Sequence, residues 1–492
     1  MDETKAVRTQ EPELSAGPAE RSTKYYVLIL VVVLLMAETT TFTGIVFYNA
    51  LPYMATTFSA AQLPWVITVT FLVGAPIMPL IGKLADIHGS KRVLLVVAGV
   101  FVVGSLVGAV TTSFLMLMVA RVLQAPVLAL PGVYYACFRQ IFPKRVVPIA
   151  IGMIATGIGV GAVVTPLISG ALLAAFSYHS IFWFCLIYAV VLAPVVYVVV
   201  PDSVRQGARR LDVAGAVLLS VGVGLLLFGV TKGPSSGWTS PTTLLSFVGA
   251  VVLLVGFTFA ELRSSAPMID LRLLTGPAVR TTLLISLTAG VVIGSWGYVI
   301  PQMLETPSSP GANYGFGLTA TKVGLVALSA GIAGMACGPL GGFLSRRNSP
   351  RMVMLWSCAI LVVAPLLLAF EHDQLWFYVV FGLLQGIGNG FYFAATPNLI
   401  IEAVPEHLTG VSGGMVSLTS ALAGGVMPVV ISVILLQNIL HVDPATHAVV
   451  FASAGYSYAL VVIAACAAVA LVLTAFMRHG RLPATGGAVS GH

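Results

Sequence analysis

Long apolar runs alternate with short polar breaks along almost the whole chain. Cutting at the breaks gives fourteen segments of about 19 to 28 residues, each long enough to cross a bilayer core as a helix. The runs are continuous and do not alternate between apolar and polar positions, which excludes a closed transmembrane barrel. The predicted spans are 26–50, 62–86, 93–111, 115–139, 148–174, 180–200, 212–231, 242–262, 279–304, 321–345, 352–370, 375–401, 410–437 and 453–477.

Composition agrees with this pattern. The chain has 492 residues, of which 58% are hydrophobic and 8% are charged, and a soluble domain could not cover its surface at that ratio. We therefore expect an all-α integral membrane protein.

The placement of basic residues predicts the orientation. If residues 1–24 lie on the inner side, all but three of the 24 Lys and Arg fall on that side. Lys232 and Lys322 lie outside, and Arg121 lies within a span. This asymmetry predicts a multi-pass protein of the cell membrane with both termini in the cytoplasm. The net charge of +7 is thus a topology signal and does not indicate a nucleic-acid partner.

The tails and cysteines add little chemistry. Residues 1–24 are polar and mixed in charge, and the first apolar run is too long for a cleaved signal peptide. We expect a disordered cytoplasmic tail at 1–24 and a second cytoplasmic tail at 478–492.

The cysteines lie in predicted spans at unrelated spacings, which indicates neither a disulfide framework nor a metal site. They are Cys137, Cys185, Cys337, Cys358 and Cys466.

Two stretches of the chain repeat each other. GKLADIHGSKRVLL (82–95) follows span 2, and GGFLSRRNSPRMVML (341–355) follows span 10. Two spans later, ARVLQAPVLAL carries Gln124 and FGLLQGIGNGF carries Gln385. The separations from Gly82 to Gln124 and from Gly342 to Gln385 differ by only one residue. Spans 1–6 and 9–14 are therefore predicted to be two copies of a six-helix unit, which is typical of transporters with a midplane site.

The first of these stretches closely resembles the signature loop of the major facilitator superfamily. The matching positions are Gly82, Leu84, Asp86, Gly89, Lys91 and Leu94. The resemblance implies two six-helix bundles at residues 25–200 and 276–477. Spans 7 and 8, at 201–275, are then an inserted pair, which gives fourteen transmembrane helices.

A conformational latch is expected in this loop. Gly82 and Gly89 allow helix ends to approach closely and to turn sharply. Asp86 can accept hydrogen bonds from nearby backbone donors or pair with Lys91 or Arg92. The family usually has basic residues where this chain has Ile87 and Ser90.

Two further spans carry motifs similar to those of the superfamily. ARVLQ in span 4 supplies Arg121 and Gln124. The family motif has glycines at the two positions where this chain has Ala125 and Val127, which flank Pro126. Span 5 resembles the motif of the antiporter branch. A small-residue stripe with a proline suits a hinge, although glycine-rich membrane helices are also common. The matched hinge positions are Gly152, Gly161, Pro166 and Gly170, with Thr165 and Ser169 replacing glycines.

The inserted pair points to a branch of the family. LDVAG (211–215), GPSSGW (233–238) and FAELRSSAPMIDLRLL (259–274) resemble the corresponding region of fourteen-span drug:proton antiporters, as do Trp65 and Thr68 in span 2.

The sequence does not support an ATP-driven pump or a hydrolase. No phosphate-binding Gly-rich loop is present, so ATP is not the energy source, and no cofactor is expected. Ser412 lies in a serine-hydrolase-like GVSGG, but all histidines lie in tails, loops or loop edges, so it has no base inside the membrane.

Glu38, in MAETTTF, is the only acidic residue deep in a predicted span. Burial disfavours the ionised form of a carboxylate. Glu38 therefore becomes a candidate for proton exchange. At helical spacing, Glu38, Thr41, Ile45 and Asn49 share one face of span 1. Arg121, Gln124 and Tyr135 share one face of span 4, and the resemblance places both spans beside a central cavity.

We expect Glu38 to carry the proton, with Arg121 favouring its ionised form in one state. The same carboxylate is a candidate contact for a substrate that is a cation. A single shared carboxylate couples proton and substrate because the two compete. The alternative is a static Glu38–Arg121 ion pair, although a buried pair is weak evidence for stability. Fourteen-span antiporters usually carry an Asp seven residues before Ala-Leu-Pro, where this chain has Thr43. Neither stoichiometry nor substrate charge can therefore be transferred.

The predicted function is proton-coupled export of hydrophobic or amphipathic compounds by a secondary transporter that acts as a monomer among membrane lipids. The alternatives are a dedicated carrier of a lipid or native metabolite, without strict proton coupling, and a membrane sensor. Aromatic and amide groups in an apolar cavity suit bulky amphipathic substrates. The candidate cavity residues, besides Thr41, Asn49, Gln124 and Tyr135, are Trp296, Gln302, Gln385, Asn389 and Tyr392.

Overall fold

The computed structural model describes residues 22–54, 57–58, 62–202, 212–264, 267, 269, 276–308, 313–442 and 449–486. Most of the predicted disordered tail, at 1–21, lies outside the described residues, as does much of the segment between spans 8 and 9. The side chains of Asn49 and Pro166 also lie outside them.

Within this part of the chain the structure is almost entirely helical. The helices are α1 Thr23–Met54, α2 Leu63–Gly74, α3 Met78–His88, α4 Ser90–Val110, α5 Phe114–Gln124, α6 Leu130–Ile141, α7 Val147–Ala175, α8 His179–Val199, α9 Val213–Ser236, α10 Pro241–Arg263, α11 Pro277–Glu305, α12 Ala320–Arg347, α13 Pro350–Phe370, α14 Leu375–Ala403, α15 Thr409–Leu436 and α16 Ser453–Phe476. A short antiparallel hairpin, β1 Ile439–Val442 and β2 Val449–Phe451, connects α15 to α16.

The predicted number of spans is confirmed. Thirteen helical segments among the described residues are long and apolar enough to cross a membrane, and there are fourteen if the bent pair α2–α3 is one span. The two parts of that pair meet at 47°. Pro76 and Pro79 lie at the bend, and each lacks the N–H that an unbroken helix needs.

Span 4 is interrupted in a similar way. A 3-10 helix, Ala125–Ala129, separates α5 from α6, at the place where the family motif is replaced by Ala-Pro-Val. Pro131 cannot donate to the carbonyl of Val127. That oxygen instead accepts a 3-10 hydrogen bond from Leu130 N and one from Thr40 Oγ1 of α1 at 3.2 Å. The break therefore ties span 4 to span 1.

Two six-helix bundles, α1–α8 and α11–α16, hold the inserted pair between them. Helix α9 packs on α10, and it also contacts both α2 and α15. Ser220 Oγ of α9 donates to the Pro76 carbonyl at 3.4 Å. The side chain of Leu227 lies beside Gly425 of α15. The inserted pair thus lies against both bundles.

The two bundles meet mainly at one end, which we call the tail end because Thr23 and Phe476 lie there; the opposite end is the distal end. Among the described residues, every hydrogen bond between the bundles lies in the tail-end half. One example joins Thr156 Oγ1 of α7 to the Met335 carbonyl of α12 at 2.9 Å. The structure therefore has its tail end closed.

The segment after α16 lies across the tail end. The Gly480 carbonyl accepts a hydrogen bond from Arg351 N at 3.1 Å. Further along, Thr485 N donates to Glu402 Oε1 at 2.7 Å. Residues 477–486 therefore lie over the ends of α12, α13 and α14.

Candidate functional site

The carboxyl group of Glu38 lies in the seam between α1 and α7. The residue is 7% exposed, and its side chain is hydrogen-bonded by Thr41 on the next turn. Its second oxygen, Oε2, has no hydrogen-bond partner among the described residues. The backbone of α7 approaches the carboxyl closely because Gly157 and Gly161 have no side chains there.

The neighbouring threonines are used differently from one another. Thr39 Oγ1 donates to the Met36 carbonyl at 2.6 Å, and Thr43 Oγ1 donates to the Thr39 carbonyl at 2.7 Å. Such bonds to the preceding turn let a hydroxyl stay inside an apolar helix bundle. Thr40 bonds the 3-10 helix of span 4, so Thr41 is the threonine of this group that hydrogen-bonds Glu38.

Glu38 faces protein and not lipid. Two phenols, Tyr134 of α6 and Tyr188 of α8, lie near its carboxyl. The Tyr188 hydroxyl donates to the Leu35 carbonyl at 2.7 Å. Tyr188 also lines an apolar groove of about 750 Å³ between α1, α7 and α8, together with residues such as Trp183 and Val191. Tyr188 therefore lies beside both Glu38 and this groove.

Arg121 is completely buried in α5 and has other partners than Glu38. Its guanidinium donates to the Val66 carbonyl at 2.8 Å, to Gln124 Oε1 at 2.8 Å and to the Thr43 carbonyl at 3.0 Å. Its planar face lies 3.7 Å from the ring centroid of Phe47. The group is thus held by dipoles and a π face, a use that suits arginine better than lysine.

No described hydrogen bond or ion pair joins Arg121 to Glu38. Arg121 meets α1 at Thr43, five residues beyond Glu38, which is about 7 Å along a helix axis. Thr43 is the position where fourteen-span antiporters usually carry their acid. The expected static pair is therefore not formed in this structure, and a role of Arg121 in proton coupling stays a prediction.

Asp86 joins the two bundles at the tail end. Its two carboxyl oxygens accept hydrogen bonds from Gly410 N at 2.8 Å and from Val411 N at 2.9 Å. These N–H groups belong to the first turn of α15, which attracts an anion. The backbone of Gly82 packs directly against that of Gly410. Of the alternatives expected for Asp86, bonding to backbone donors is the one observed.

The remaining latch residues have separate places. Gly89 has φ 89° and ends α3, so that α4 can begin at the next residue. Lys91 forms an ion pair with Asp202 at 3.3 Å within the first bundle, and Arg92 is exposed. The expected pairing of Asp86 with Lys91 or Arg92 is therefore not among the described contacts.

Arg139 takes part in the closed tail end and was not anticipated. From α6 its Nη1 donates to the Val404 carbonyl at 3.1 Å and to Thr409 Oγ1 at 2.7 Å. It thereby binds the end of α14 and the start of α15. In the sequence it is one of many basic residues near inner loops, and nothing in its spacing distinguishes it.

The antiporter-motif positions fall on different faces of α7, which runs without a break. Gly152 packs against the backbone of Gly338 of α12. Gly161 faces Glu38, and a Cβ at Gly170 would meet no atom within 4 Å. The proposed hinge is therefore part of one continuous helix in this state, with two of its glycines at close contacts.

The predicted cavity residues are spread over both bundles. Tyr135 lies near Tyr392 across the interface. Gln385 Nε2 donates to Asn389 Oδ1 at 3.3 Å, and Gln385 Oε1 has no partner among the described residues. Trp296 stacks on Phe381 with centroids 4.8 Å apart.

Gln124 and Gln302 are less available to a substrate. Gln124 bonds Arg121 and also donates to Ser105 Oγ at 2.9 Å. Gln302 Oε1 accepts from the Tyr456 hydroxyl at 3.5 Å. Whether the cavity residues contact a substrate stays a prediction.

A hydroxyl cluster in the second bundle was also missed. The Ser286 hydroxyl lies 2.9 Å from both the Tyr392 and the Ser420 hydroxyls. Thr419 Oγ1 donates to Ser286 Oγ at 3.1 Å. Single hydroxyls in apolar helices usually bond their own backbone, so the sequence gives no sign that these four side chains meet.

The comparison with protein families decides the classification. The sequence model of the Major Facilitator Superfamily matches residues 28–308 and 282–490. The chain belongs to the Major Facilitator Superfamily. It is a transporter and not an enzyme.

Relatives narrow the branch of the superfamily. The uncharacterized MFS-type transporter YcnB of Bacillus subtilis is 25% identical over 89% of this chain and 92% of its own length. The multidrug resistance protein Stp of Mycobacterium tuberculosis is 28% identical over 76% of this chain and 69% of its own. The lincomycin resistance protein LmrB of B. subtilis is 28% identical over 70% of this chain and 72% of its own length. The chain thus falls in the drug-efflux-type branch.

Solved structures support the fold. The human organic anion transporter MFSD10 has a TM-score of 0.65 to this chain at 14% identity, covering 92% of this chain and all of that one. At that identity the likeness concerns the fold alone. It agrees with the major facilitator fold of this chain.

Proposed function

We propose that this facilitator exports hydrophobic or amphipathic compounds in exchange for protons, with both termini in the cytoplasm. The named relatives support export, since two of those above are named for resistance to drugs. Most of the basic residues lie in tails and loops at the tail end, which supports a cytoplasmic tail end.

Alternating access fits the arrangement of the bundles. The contacts of Asp86 and Arg139 at a cytoplasmic tail end support an outward-facing state of the transport cycle. Rocking of one bundle against the other about a midplane site is the general mechanism of such folds. Breaking the contacts of Asp86 with α15 would begin the change to the inward-facing state.

The buried position of Glu38 is the observation that supports proton coupling. Glu38 is a buried acid well inside a span, with no basic partner among the described ion pairs and hydrogen bonds. A carboxylate left in such a place is costly, whereas the neutral acid is tolerated. Proton binding and release at Glu38 therefore change the energy of the surrounding helices, as antiport requires.

Transport in proteoliposomes tests this proposal. An imposed pH gradient should drive uptake of the fluorescent lipophilic cation ethidium by the wild type, and Glu38→Gln should lose the response to the gradient. Glu371→Gln is the matched control, since Glu371 is an exposed acid in the loop after α13. Equal stimulation of wild type and Glu38→Gln by the gradient would contradict the coupling.

The substrate class needs its own measurement. A fluorescent phospholipid is compared with ethidium in the same vesicles. Gradient-driven movement of ethidium supports export of amphipathic compounds, and movement of the phospholipid alone would replace this proposal with a dedicated lipid carrier.

A further inference from the structure

The two glycines of α7 that face Glu38 form a notch shaped for its carboxyl group. A Cβ at Gly161 would overlap Glu38 Oε2 and would lie 2.6 Å from Cγ2 of Thr41. A Cβ at Gly157 would lie 3.1 Å from Glu38 Oε1. The two positions are one helical turn apart and share a face. We call this pair, Gly157 and Gly161, the glycine notch.

The notch holds an acid that the surroundings do not neutralise. Glu38 is more than nine-tenths buried, and its Oε2 lacks a partner among the described residues. From the elements packed around it, α1 offers the Thr41 hydroxyl, α6 offers the phenol of Tyr134, and α8 offers the phenol of Tyr188. From α7, the described contacts with the carboxyl are those of the two glycines. The neutral acid therefore fits the notch far better than the carboxylate.

The opposite face of α7 belongs to the interface between the bundles. Gly152 packs on Gly338, and a Cβ at Gly159 would lie 2.7 Å from the Gly331 carbonyl, both on α12. Successive residues of a helix turn by about 100°, so Gly159 points nearly opposite to Gly157 and Gly161. One helix thus contacts the acid on one face and the second bundle on the other.

We propose that the glycine notch is a protonation-dependent receptor for Glu38, through which α7 transmits the state of that acid to the α7–α12 interface. When Glu38 carries a proton it occupies the notch, and α1, α7 and α12 stack with the tail end closed. When Glu38 loses the proton it leaves the notch for water or substrate, α7 is released from α1, and the tail end can open. This inference rests on the proposed function and assigns the residues that couple the proton to the conformational change.

The sign of the pH dependence follows from which form fits the notch. The closed tail end is favoured at acidic pH, where Glu38 is protonated, and its share falls as the pH rises. The mechanism predicts a change of about tenfold or more in the closed-to-open ratio between acidic and alkaline pH.

The experiment measures the tail-end distance directly and does not depend on transport. After replacement of the native cysteines, spin labels are placed at Arg145 and Arg346, which are exposed at the tail ends of the two bundles. Pulsed electron-paramagnetic resonance in nanodiscs then gives the closed fraction as a function of pH. Gly161→Ala should weaken the closed state and flatten its pH response, whereas Glu38→Gln, which stays neutral, should keep the tail end closed at every pH.

Gly99→Ala is the matched control, because it makes the same change in another helix of the same bundle, α4, where a methyl meets no atom within 4 Å. It should behave like the wild type. If Gly161→Ala does not fold, Gly157→Ala replaces it as the test variant, because the only tight contact of its methyl group is with Glu38 Oε1. Gly157→Ala should change the pH response in the same direction as Gly161→Ala, but by a smaller amount.

Two outcomes would overturn the inference. The first is a pH response of Gly161→Ala, or of Gly157→Ala if Gly161→Ala does not fold, that equals the response of Gly99→Ala. The second is a wild-type pH response in Glu38→Gln. The two proposals fail separately. If Glu38→Gln loses gradient-driven transport but Gly161→Ala keeps it in full, Glu38 carries the proton and the notch is not its receptor. If Glu38→Gln keeps gradient-driven transport, the proposed function itself is wrong.

Discussion

Asp86→Asn should open the tail end. The wild-type carboxylate receives two backbone hydrogen bonds, at 2.8 and 2.9 Å, from the first turn of α15. Asparagine keeps one acceptor but turns an NH₂ group toward the second donor. A hydrogen bond to a charged group contributes about 2 kcal/mol, and an anion at a helix N-terminus adds about 0.5 kcal/mol.

The loss is therefore about 2.5 kcal/mol in favour of the open tail end. Since 1.4 kcal/mol corresponds to a factor of ten, the closed-to-open ratio should fall by roughly 60-fold. Spin labels at Arg92 and Arg346, both exposed, report this ratio as two populations of distances at constant pH.

Asp202→Asn serves as the control for this measurement. It breaks the ion pair of Lys91, but the Asp202 side chain is 90% exposed and both residues belong to the first bundle. An exposed pair contributes about 0 to 1 kcal/mol and does not join the bundles, so the ratio should change by less than about twofold. A ratio for Asp86→Asn within twofold of the wild type would refute the role of Asp86 as the latch.

Three further variants follow from the described contacts. Gly410→Ala places a methyl against the carbonyl of Gly82 and should open the tail end in the same distance measurement, whereas Gly425→Ala, with only ordinary contacts, should not. Arg121→Lys loses the forked bonding to three acceptors and should lower the free energy of unfolding by about 2 kcal/mol or more, seen as a lower melting temperature in detergent. Tyr392→Phe removes a hydroxyl from the buried cluster and should lower the free energy of unfolding by about 1 kcal/mol, seen in the same melting assay. An unchanged melting temperature of Arg121→Lys or of Tyr392→Phe would contradict the role given to that residue.

The membrane spans could be predicted closely because the bilayer acts on each segment separately. A span needs about twenty apolar residues wherever it lies in the chain. The bends in spans 2 and 4 follow from their prolines, yet their angles depend on the neighbours that accept the exposed carbonyls. The contact of Thr40 with Val127 illustrates this, since the two residues lie 87 positions apart.

The partners of the buried charges could not be predicted. Helical periodicity places Glu38 and Thr41 on one face and Arg121 and Gln124 on another, but it does not say how far one helix is shifted along the next. In the structure that shift brings Arg121 to Thr43 and leaves Glu38 against α7. The glycine motif of span 5 predicts a hinge from its sequence, whereas its contact with an acid required the structure.

The claim that one carboxyl couples proton and substrate is tested most directly by counting protons. Purified protein in weakly buffered detergent solution is mixed with ethidium, and a pH indicator records the protons released on binding. The wild type should release protons near neutral pH, because substrate and proton compete for Glu38, and Glu38→Gln should bind ethidium without releasing them. Equal proton release by the two proteins would contradict the account.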